Sequence, residues 1–495
     1  MNFASLIDAH DAEVAALVGP GGDIGYGSLR ERSSRLRGGL AAHGIGQGDR
    51  VAIVAVNSPL FVEALLAVLG TGATAVPLNP LSPPAELQRE MSHAAASAVV
   101  AGPTGARSVG RLDAKFLESV LVFAPSAAEL TGASSLEELF EHEPAAVADV
   151  PGDHEAVVLF TSGTAGASRG AALTHHNLLV NHEQVLAADP EAVLPGDRVL
   201  AVLPFFHVYG LNVVLGLALR VGAAVVIEER FDPDRTLETV SRHSVSVLAA
   251  GPPVWNAWAQ LDAPQPALAG LRIARSGAAA LPIATAERLE REHGVLVAEG
   301  YGLTEASPVV TLPLRDQVRH GSVGHPVPGV EVRLVDEEGR DSLVGDPGEL
   351  WVRGPNVFSG YLGDDAPQVV DADGWLHTGD VAVLDDDGWL FLVDRLKDLI
   401  IVSGFNVYPN EVEAVLVEHP AVAQAVVVGV PDASTGEAIV GHVAALAGHT
   451  VEEADVLEFA AERLPRFKCP RRIDVHDVLP TGLAGKTPRR LLRPQ

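Results

Sequence analysis

Cysteine is almost absent. Cys469 is the only one in 495 residues, so no intramolecular disulfide forms and a thiolate metal cluster is excluded. Basic residues are scarce as well. Lys and Arg number 35 against 64 Asp and Glu, a net charge of −29. A field of that sign repels nucleic acid and anionic membrane, and neither is expected as a partner. An anionic substrate then needs local positive charge, so the few cations set among glycines gain interest. No uninterrupted apolar run reaches the roughly 20 residues of a membrane span. The longest apolar region, 208–227, is broken by Asn212 and Arg220 and reads as a buried helix followed by a strand at 223–227. The opening Met1-Asn2-Phe3-Ala4-Ser5-Leu6-Ile7-Asp8 lacks the basic start and apolar core of a signal peptide, and the cytoplasm is the default expectation. Internal repeats and low-complexity tracts are missing too.

What is present is a globular composition. Hydrophobic residues make up 47%, and the length allows two or more domains with large cores. From about residue 28 to 299, short apolar runs alternate with segments of helical spacing. Runs at 51–56, 73–77, 156–160, 223–227, 245–249, 272–276 and 295–299 are predicted strands; 59–69 and 282–293 are predicted helices. Such alternation makes α/β layers with largely parallel sheets, and functional residues then gather just past strand C-termini. The texture changes near Gly321. Short runs at 330–335, 349–353, 380–384 and 389–393, several bounded by Asp-Gly or Glu-Gly, predict a small antiparallel, barrel-like unit. Beyond Asp394, a helix (410–418), two strands (425–430, 439–446) and a second helix (451–464) predict a small α+β domain. The main boundary falls at 395–398, and 102–150 shows little pattern.

The most informative stretch is Leu159-Phe160-Thr161-Ser162-Gly163-Thr164-Ala165-Gly166-Ala167-Ser168-Arg169-Gly170. An apolar run stops, hydroxyl residues and glycines follow, one cation closes the segment, and a predicted helix starts at His175. Strand, glycine-rich loop and helix in that order can hold phosphate. Glycines let backbone N–H groups turn toward an anion, hydroxyls add neutral donors, and Arg brings charge without a tuned pKa. No Gly-Lys-Ser/Thr ends the loop, so it is not a Walker A motif. His175 and His176 resemble a metal pair, but helix neighbours point to different faces.

Five further segments carry chemistry. Leu203-Pro204-Phe205-Phe206-His207-Val208-Tyr209-Gly210 places a histidine between aromatics and an apolar helix. Arg275-Ser276-Gly277-Ala278-Ala279 follows a predicted strand and offers backbone polar groups to a flat ring. Glu299-Gly300-Tyr301-Gly302-Leu303-Thr304-Glu305 supplies an aromatic face, a hydroxyl and a carboxylate. His377-Thr378-Gly379-Asp380 sets an acid beside a glycine, suited to a ribose diol. Asp394-Arg395-Leu396-Lys397-Asp398 precedes Ser403-Gly404-Phe405-Asn406-Val407-Tyr408-Pro409, and Gly485-Lys486 lies near the C-terminus.

In these segments, in this order and over nearly its whole length, the chain resembles the adenylate-forming superfamily of acyl-CoA synthetases, non-ribosomal adenylation domains and luciferases. The resemblance implies an α/β fold. A large N-terminal domain (1–394) would comprise two α/β subdomains plus a small β-barrel-like part (about 322–394). A hinge (395–398) and a small, mobile α+β lid (399–495) would follow. It also implies two steps: a carboxylate attacks the α-phosphate of ATP, releasing pyrophosphate, and the thiol of coenzyme A then attacks the acyl carbonyl, releasing AMP.

The roles carry over by position. Thr161, Ser162, Gly163, Thr164, Gly166 and Arg169 would hold the β- and γ-phosphates. Tyr301 would stack on adenine, flanked by Ser276, Gly277 and Ala278, with Glu299, Gly300 and Gly302 in the same nucleotide site. Thr304 would bond the α-phosphate. Glu305, with Thr161, would hold Mg²⁺. Asp380 would accept from both ribose hydroxyls and Arg395 would donate to the same sugar. Lys486 would reach the carboxylate and the ribose-side oxygen and stabilise charge at phosphorus. His207 would line and gate the acyl pocket. Lys397 would belong to the hinge, and Gly404 to the thiol channel after the lid rotates.

Two departures from the family pattern stand out. The usual Gly-Xaa-Pro-Lys-Gly reads Gly166-Ala167-Ser168-Arg169-Gly170 here; phosphate binding with altered loop mobility is expected. Asp394-Arg395 replaces a common Gly-Arg, with little effect expected. Amino-acid-activating relatives usually place Asp where His207 stands, which disfavours an amino acid. The candidate pocket residues Val208, Tyr209, Val213, Ala278, Gly302, Ala306 and Val309 are apolar or small, with no cation evident, which argues against a dicarboxylate. A hydrophobic fatty or aryl acid is expected, with ATP, Mg²⁺ and coenzyme A. The alternatives are a ligase that loads an acyl carrier protein and, from another class, a catalytically silent nucleotide or acyl binder. Assembly as a homodimer is left open.

Overall fold

The helix Pro59–Gly70 shows why the larger part of the chain folds in layers. Ser58 caps it by accepting the Phe61 N–H at 3.3 Å, and Pro59 opens its first turn. Every residue from Phe61 to Gly70 is buried, so the helix has no solvent face and belongs inside the molecule. Its side chains share one core with residues of two seven-stranded sheets. The computed structural model describes all residues except 20, 129, 163–167, 262–263, 314–316, 364, 404, 433, 447, 481–488 and 493–495, and the side chains of 127, 162 and 490.

The first sheet runs, in spatial order, Ser134–Ser135, Leu121–Ala124, Ala98–Ala101, Arg50–Val54, Thr74–Leu78, Glu155–Ser162 and Ser168–Thr174. The second runs Ala298–Glu299, Ile273–Ser276, Val247–Ala250, Arg198–Ala201, Ala224–Ile227, Ala15–Val18 and Ile24–Gly25. Neighbours are parallel except for the last pair in each sheet. The α/β class read from the alternating pattern is therefore the class observed. The span 102–150, which showed little pattern, holds the short strand Leu121–Ala124, the two-residue edge strand Ser134–Ser135 and the short helices Pro103–Val109, Ala114–Leu117 and Leu136–Leu139. Such pieces are too brief to display a period.

Two local expectations change. A strand, Ser168–Thr174, intervenes between the glycine-rich loop and the helix His175–Ala188, pairing antiparallel so that Thr161 faces Arg169. The described residues that flank the glycine-rich stretch thus pair as strands, and no helix starts directly after it. The helix start is closed by its own capping box, Thr174 with Asn177. The region 208–227 begins as a π-helix over Tyr209–Gly216 and becomes α-helical over Leu217–Val221; π segments gather at functional sites.

The barrel-like part takes the form of a four-stranded antiparallel sheet, Glu331–Val335, Gly348–Arg353, Leu376–Leu384 and Leu390–Arg395. A three-stranded sheet lies beside it, joined through a Gly324–Leu390 bridge. The C-terminal part has a separate core, with Val412, Leu416, Val427, Ile439, Val456 and Ala460 among its buried residues. No described helix is long and apolar enough to cross a membrane.

Candidate active site

Strands Ile273–Ser276 and Ala298–Glu299 are adjacent and parallel, with Ser276 opposite Glu299. Both segments therefore leave the sheet side by side, and Gly300 N–H donates to the Ser276 carbonyl at 3.0 Å. This brings Ser276, Gly277 and Ala278 beside Gly300, Tyr301 and Gly302. Ala278 has φ +70°, which turns the backbone. A Cβ at Gly302 would lie 2.1 Å from the Pro308 carbonyl oxygen, so only glycine fits there. The Ser276 hydroxyl is buried with no partner, as expected of a donor kept for a ligand.

Asp380 is the centre of the site. The hairpin of Leu376–Leu384 and Leu390–Arg395 sets Asp380 opposite Arg395. Arg395 Nε donates to Asp380 Oδ1 at 2.8 Å and the Tyr301 hydroxyl donates to Oδ2 at 2.7 Å. Burial, and then Asp380, push the Tyr301 phenol well above its ordinary range. Burial opposes the Arg395 charge, but Asp380, Tyr301 and Glu305 outweigh it and raise its pKa. A carboxylate has about four lone-pair positions, so Asp380 keeps capacity to accept from a diol.

A second group joins the loop strand to this centre. The turn Thr304–Ala306 presents Glu305, whose carboxylate accepts from the Tyr361 hydroxyl. Burial and Glu305 push the Tyr361 phenol upward. The Arg169 guanidinium lies 5.8 Å from the centroid of the Tyr361 ring. Leu362 N–H donates to the Gly170 carbonyl at 2.8 Å, and Phe358 N–H to the Glu305 carbonyl at 2.9 Å. Asn356 Nδ2 donates to the Ala306 carbonyl at 2.8 Å. Tyr361 was not singled out in the sequence; its available signal is an aromatic between Gly360 and Gly363, like Tyr301 between Gly300 and Gly302. No cluster of three or more metal-ligating side chains occurs among the described residues. A lone carboxylate, Glu305, still suits Mg²⁺, which keeps waters and phosphate oxygens as most of its ligands.

The segment just before His207 is held from both sheets. Asn57 accepts the Phe205 N–H at 2.8 Å and donates to the Ala201 and Leu203 carbonyls at 3.1 and 2.9 Å. Burial pushes the His207 imidazole down to about 4, so it is neutral at pH 7, and its enclosed Nε2 has no partner. A neutral ring suits an apolar wall. The residues named for the acyl pocket include no cation, but one outside that set acts on Tyr209. Arg275 donates to Asp189 Oδ2 at 2.9 Å, and its charge acts on the Tyr209 phenol. Tyr209 in turn lies where a Cβ at Gly277 would meet its ring at 3.0 Å. Strand alternation had hidden this side chain, which shares its sheet face with buried Ile273.

Burial holds the Glu299 carboxyl up at about 7, although it accepts the Leu281 N–H at 2.8 Å, which acts the other way. The unfolded carboxyl ionises near 4.5, so stability should fall as pH rises from there to about 7 and stay lower above it. Glu299→Gln keeps the acceptor and should flatten that decline by about 3 kcal/mol. Urea unfolding between pH 5 and 8 checks this; parallel curves would refute it.

Lys397 is exposed on the turn Leu396–Asp398. Gly163, Thr164, Gly166, Gly404 and Lys486 lie outside the described residues, as does the Ser162 side chain. Asp394, expected to matter little, is buried. It accepts the Arg395 and Asn410 N–H groups at 2.7 and 2.8 Å and pairs with Arg489 at 3.2 Å. Arg489 also reaches Glu413 at 2.9 Å and Asp398 at 3.3 Å. The helix Pro409–Val417 and Arg489 are therefore fastened at 394–398.

The fold is that of an α/β protein in which the second sheet and the 380–395 hairpin bring Ser276, Tyr301, Asp380 and Arg395 into one cluster. The family model for "AMP-binding enzyme" matches residues 7–362, and that for "AMP-binding enzyme C-terminal domain" matches 411–486. The chain belongs to the AMP-binding enzyme family. It is similar to long-chain-fatty-acid–CoA ligase of Escherichia coli O157:H7, 33% identical over 99% of this chain and 94% of the relative. It is also similar to 4-coumarate–CoA ligase 5 of Oryza sativa subsp. japonica, 33% identical over 99% and 93%. The crystal structure of ATP-bound MatB from Rhodopseudomonas palustris superposes with a TM-score of 0.91 at 31% identity, covering 99% of this chain and 98% of that one.

Proposed function

We infer that this chain is an AMP-forming acid–CoA ligase, an acyl-CoA synthetase acting on a hydrophobic fatty or aryl acid. The Tyr301–Asp380–Arg395 network, in a chain that matches CoA ligases along its length, carries this conclusion. A silent binder is not retained, since the matching relatives are ligases. In the first step a carboxylate oxygen of the acid bonds to the α-phosphorus and pyrophosphate leaves. In the second the coenzyme A sulfur bonds to the acyl carbon and AMP leaves. Tyr301 and Ser276–Ala278 hold the base, Asp380 and Arg395 hold the ribose, and Arg169 with the 161–170 loop holds the terminal phosphates. Mg²⁺, when bound by Glu305 and Thr161, offsets charge on the phosphates. No side-chain nucleophile is needed; two anions must be brought together and their repulsion screened. The lid, 399–495, turns about 395–398 between steps. The cytoplasm, where ATP and coenzyme A are abundant, is the proposed location.

Among the side chains proposed to line the acyl pocket, His207 and Tyr209 carry polar groups, and the Arg275 charge acts on the Tyr209 hydroxyl. That hydroxyl favours an acid with an acceptor oxygen far from its carboxylate. The test is a panel of carboxylic acids with ATP, Mg²⁺ and coenzyme A, read by product mass and by pyrophosphate release. Fatty or aryl thioesters are expected; no pyrophosphate with any acid would refute the activity. Thioester only on a phosphopantetheinylated carrier would replace coenzyme A as acceptor. Within the panel, Tyr209→Phe should erase a preference of about 3–10-fold for hydroxylated over deoxy aryl acids. An unchanged ratio would remove Tyr209 from substrate reading.

A further inference from the structure

Three buried amides pin the backbone that follows Glu305. Asn181, on the helix His175–Ala188, accepts the Val309 N–H at 3.0 Å and donates to the Val309 carbonyl at 2.8 Å. Asn212, in the π-helix Tyr209–Gly216, donates to the Ser307 carbonyl at 2.7 Å. Asn356 donates to the Ala306 carbonyl, and its own carbonyl accepts the Ser307 hydroxyl at 2.8 Å. All three side chains are buried, and hydrogen bonds shielded from water hold a segment firmly. The backbone of the turn is therefore set, and the Glu305 side chain, half-buried, is what can still rotate. Its Oε1 accepts from the Tyr361 hydroxyl, and no donor among the described residues meets Oε2.

The tyrosine is placed as firmly as the turn. Tyr361 bridges Ala171 on the strand Ser168–Thr174. On either side, Ala172 N–H donates to the Gly360 carbonyl at 3.3 Å and Leu362 N–H to the Gly170 carbonyl at 2.8 Å. The ring meets Phe358 edge-on, with centroids 5.0 Å apart. A carboxylate on a fixed backbone turns to the donor that holds it, and a hydroxyl bonded to a charged oxygen is a strong one. We propose that Tyr361 is a positioning residue for Glu305: its hydroxyl takes one carboxylate oxygen and leaves the other for Mg²⁺. The Ala171 bridge then fixes that carboxylate relative to the strand that leaves the phosphate loop. This role rests on Glu305 being the Mg²⁺ ligand of the proposed nucleotide site.

Equilibrium binding of ATP to purified full-length variants, with no acid present, tests it. ATP is titrated by calorimetry with Mg²⁺ and, separately, with EDTA. Tyr361→Phe keeps the ring against Phe358 and removes only the hydroxyl. It should raise Kd for Mg·ATP about 10-fold, as expected when a ligating carboxylate loses the group that orients it, and leave Kd for metal-free ATP within about twofold. In a Glu305→Gln background the same substitution should change Kd for Mg·ATP by less than about twofold, the signature of coupled residues. A loss that is equal with and without Mg²⁺, or undiminished in Glu305→Gln, would overturn the proposal. Glu305→Gln alone separates the two levels. If it leaves the effect of Mg²⁺ on ATP binding unchanged, the metal assignment fails and the Tyr361 role falls with it. If it weakens Mg·ATP while Tyr361→Phe does not, the Tyr361 role alone is refuted. Ligase activity is judged by the acid panel, so its failure there is told apart from failure of this role.

Discussion

Lys486→Ala is expected to lower acyl-adenylate formation by about 10²–10³-fold or more while largely sparing thioester formation from supplied acyl-adenylate. The first step builds negative charge on phosphorus and its oxygens as two anions meet. A cation aimed at that position acts mainly in the transition state, so its loss falls on the rate rather than on ATP binding. In the second step the phosphorus is a spectator to attack at the acyl carbon, and the proposed lid rotation takes the lysine away. Lys486 lies outside the described residues, but the anchor three positions on does not. Arg489 is held at once by Asp394, Asp398 and Glu413. Burial opposes its charge, and the three carboxylates overcome that and raise its pKa. Arg489 is thereby tied to the turn about which the lid is proposed to move. The measurement is pyrophosphate release for the first half-reaction and thioester from synthetic acyl-adenylate for the second. Equal loss of both would remove Lys486 from its role.

Much of this architecture was legible because it is written in short-range patterns. Apolar runs ended by Gly, Pro or Ser mark parallel strands, and seven of the fourteen strands of the two large sheets fall close to those runs. The segments around Tyr301 and Asp380 were legible as chemistry, because an aromatic between glycines and an acid after a glycine are unusual locally. What stayed hidden depends on distant partners. Strand Ser168–Thr174 is small and glycine-containing, so its alternation is faint until Glu155–Ser162 pairs with it. Arg275 looks like a surface cation until Asp189, at the end of another helix, neutralises it. Asp394 looks like one of several acids in a charged run until Asn410 and Arg489 close on it. Tyr361 gains a task only when Glu305 comes within reach of its hydroxyl. In each case the local sequence sets the residue type and tertiary contact sets the function.

Asp380→Asn should raise KM for ATP about 100-fold with the acid's KM nearly unchanged. The substitution preserves shape and removes charge. Asp380 now accepts from a guanidinium on one oxygen and a phenol on the other. Asn offers one carbonyl oxygen and an NH₂ group that can only donate. Either Arg395 or Tyr301 then faces a donor. Hydrogen bonds to charged groups contribute about 1.5–3 kcal/mol each, so losing one bond within the network and one to the ribose accounts for the expected factor. Tyr301→Phe is the control. It removes the hydroxyl but keeps the ring face for adenine, so its effect on KM for ATP should be about 3–10-fold. The order matters more than either value. If Asp380→Asn stays within about threefold of wild type while Tyr301→Phe costs more, the carboxylate is a brace for the tyrosine rather than the acceptor of the ribose. If the order holds, the carboxylate at the hairpin is what lets this fold distinguish a ribonucleotide from a bare polyphosphate. Tripolyphosphate competition against ATP, unaffected by Asp380→Asn, would confirm that division of labour between the hairpin and the loop.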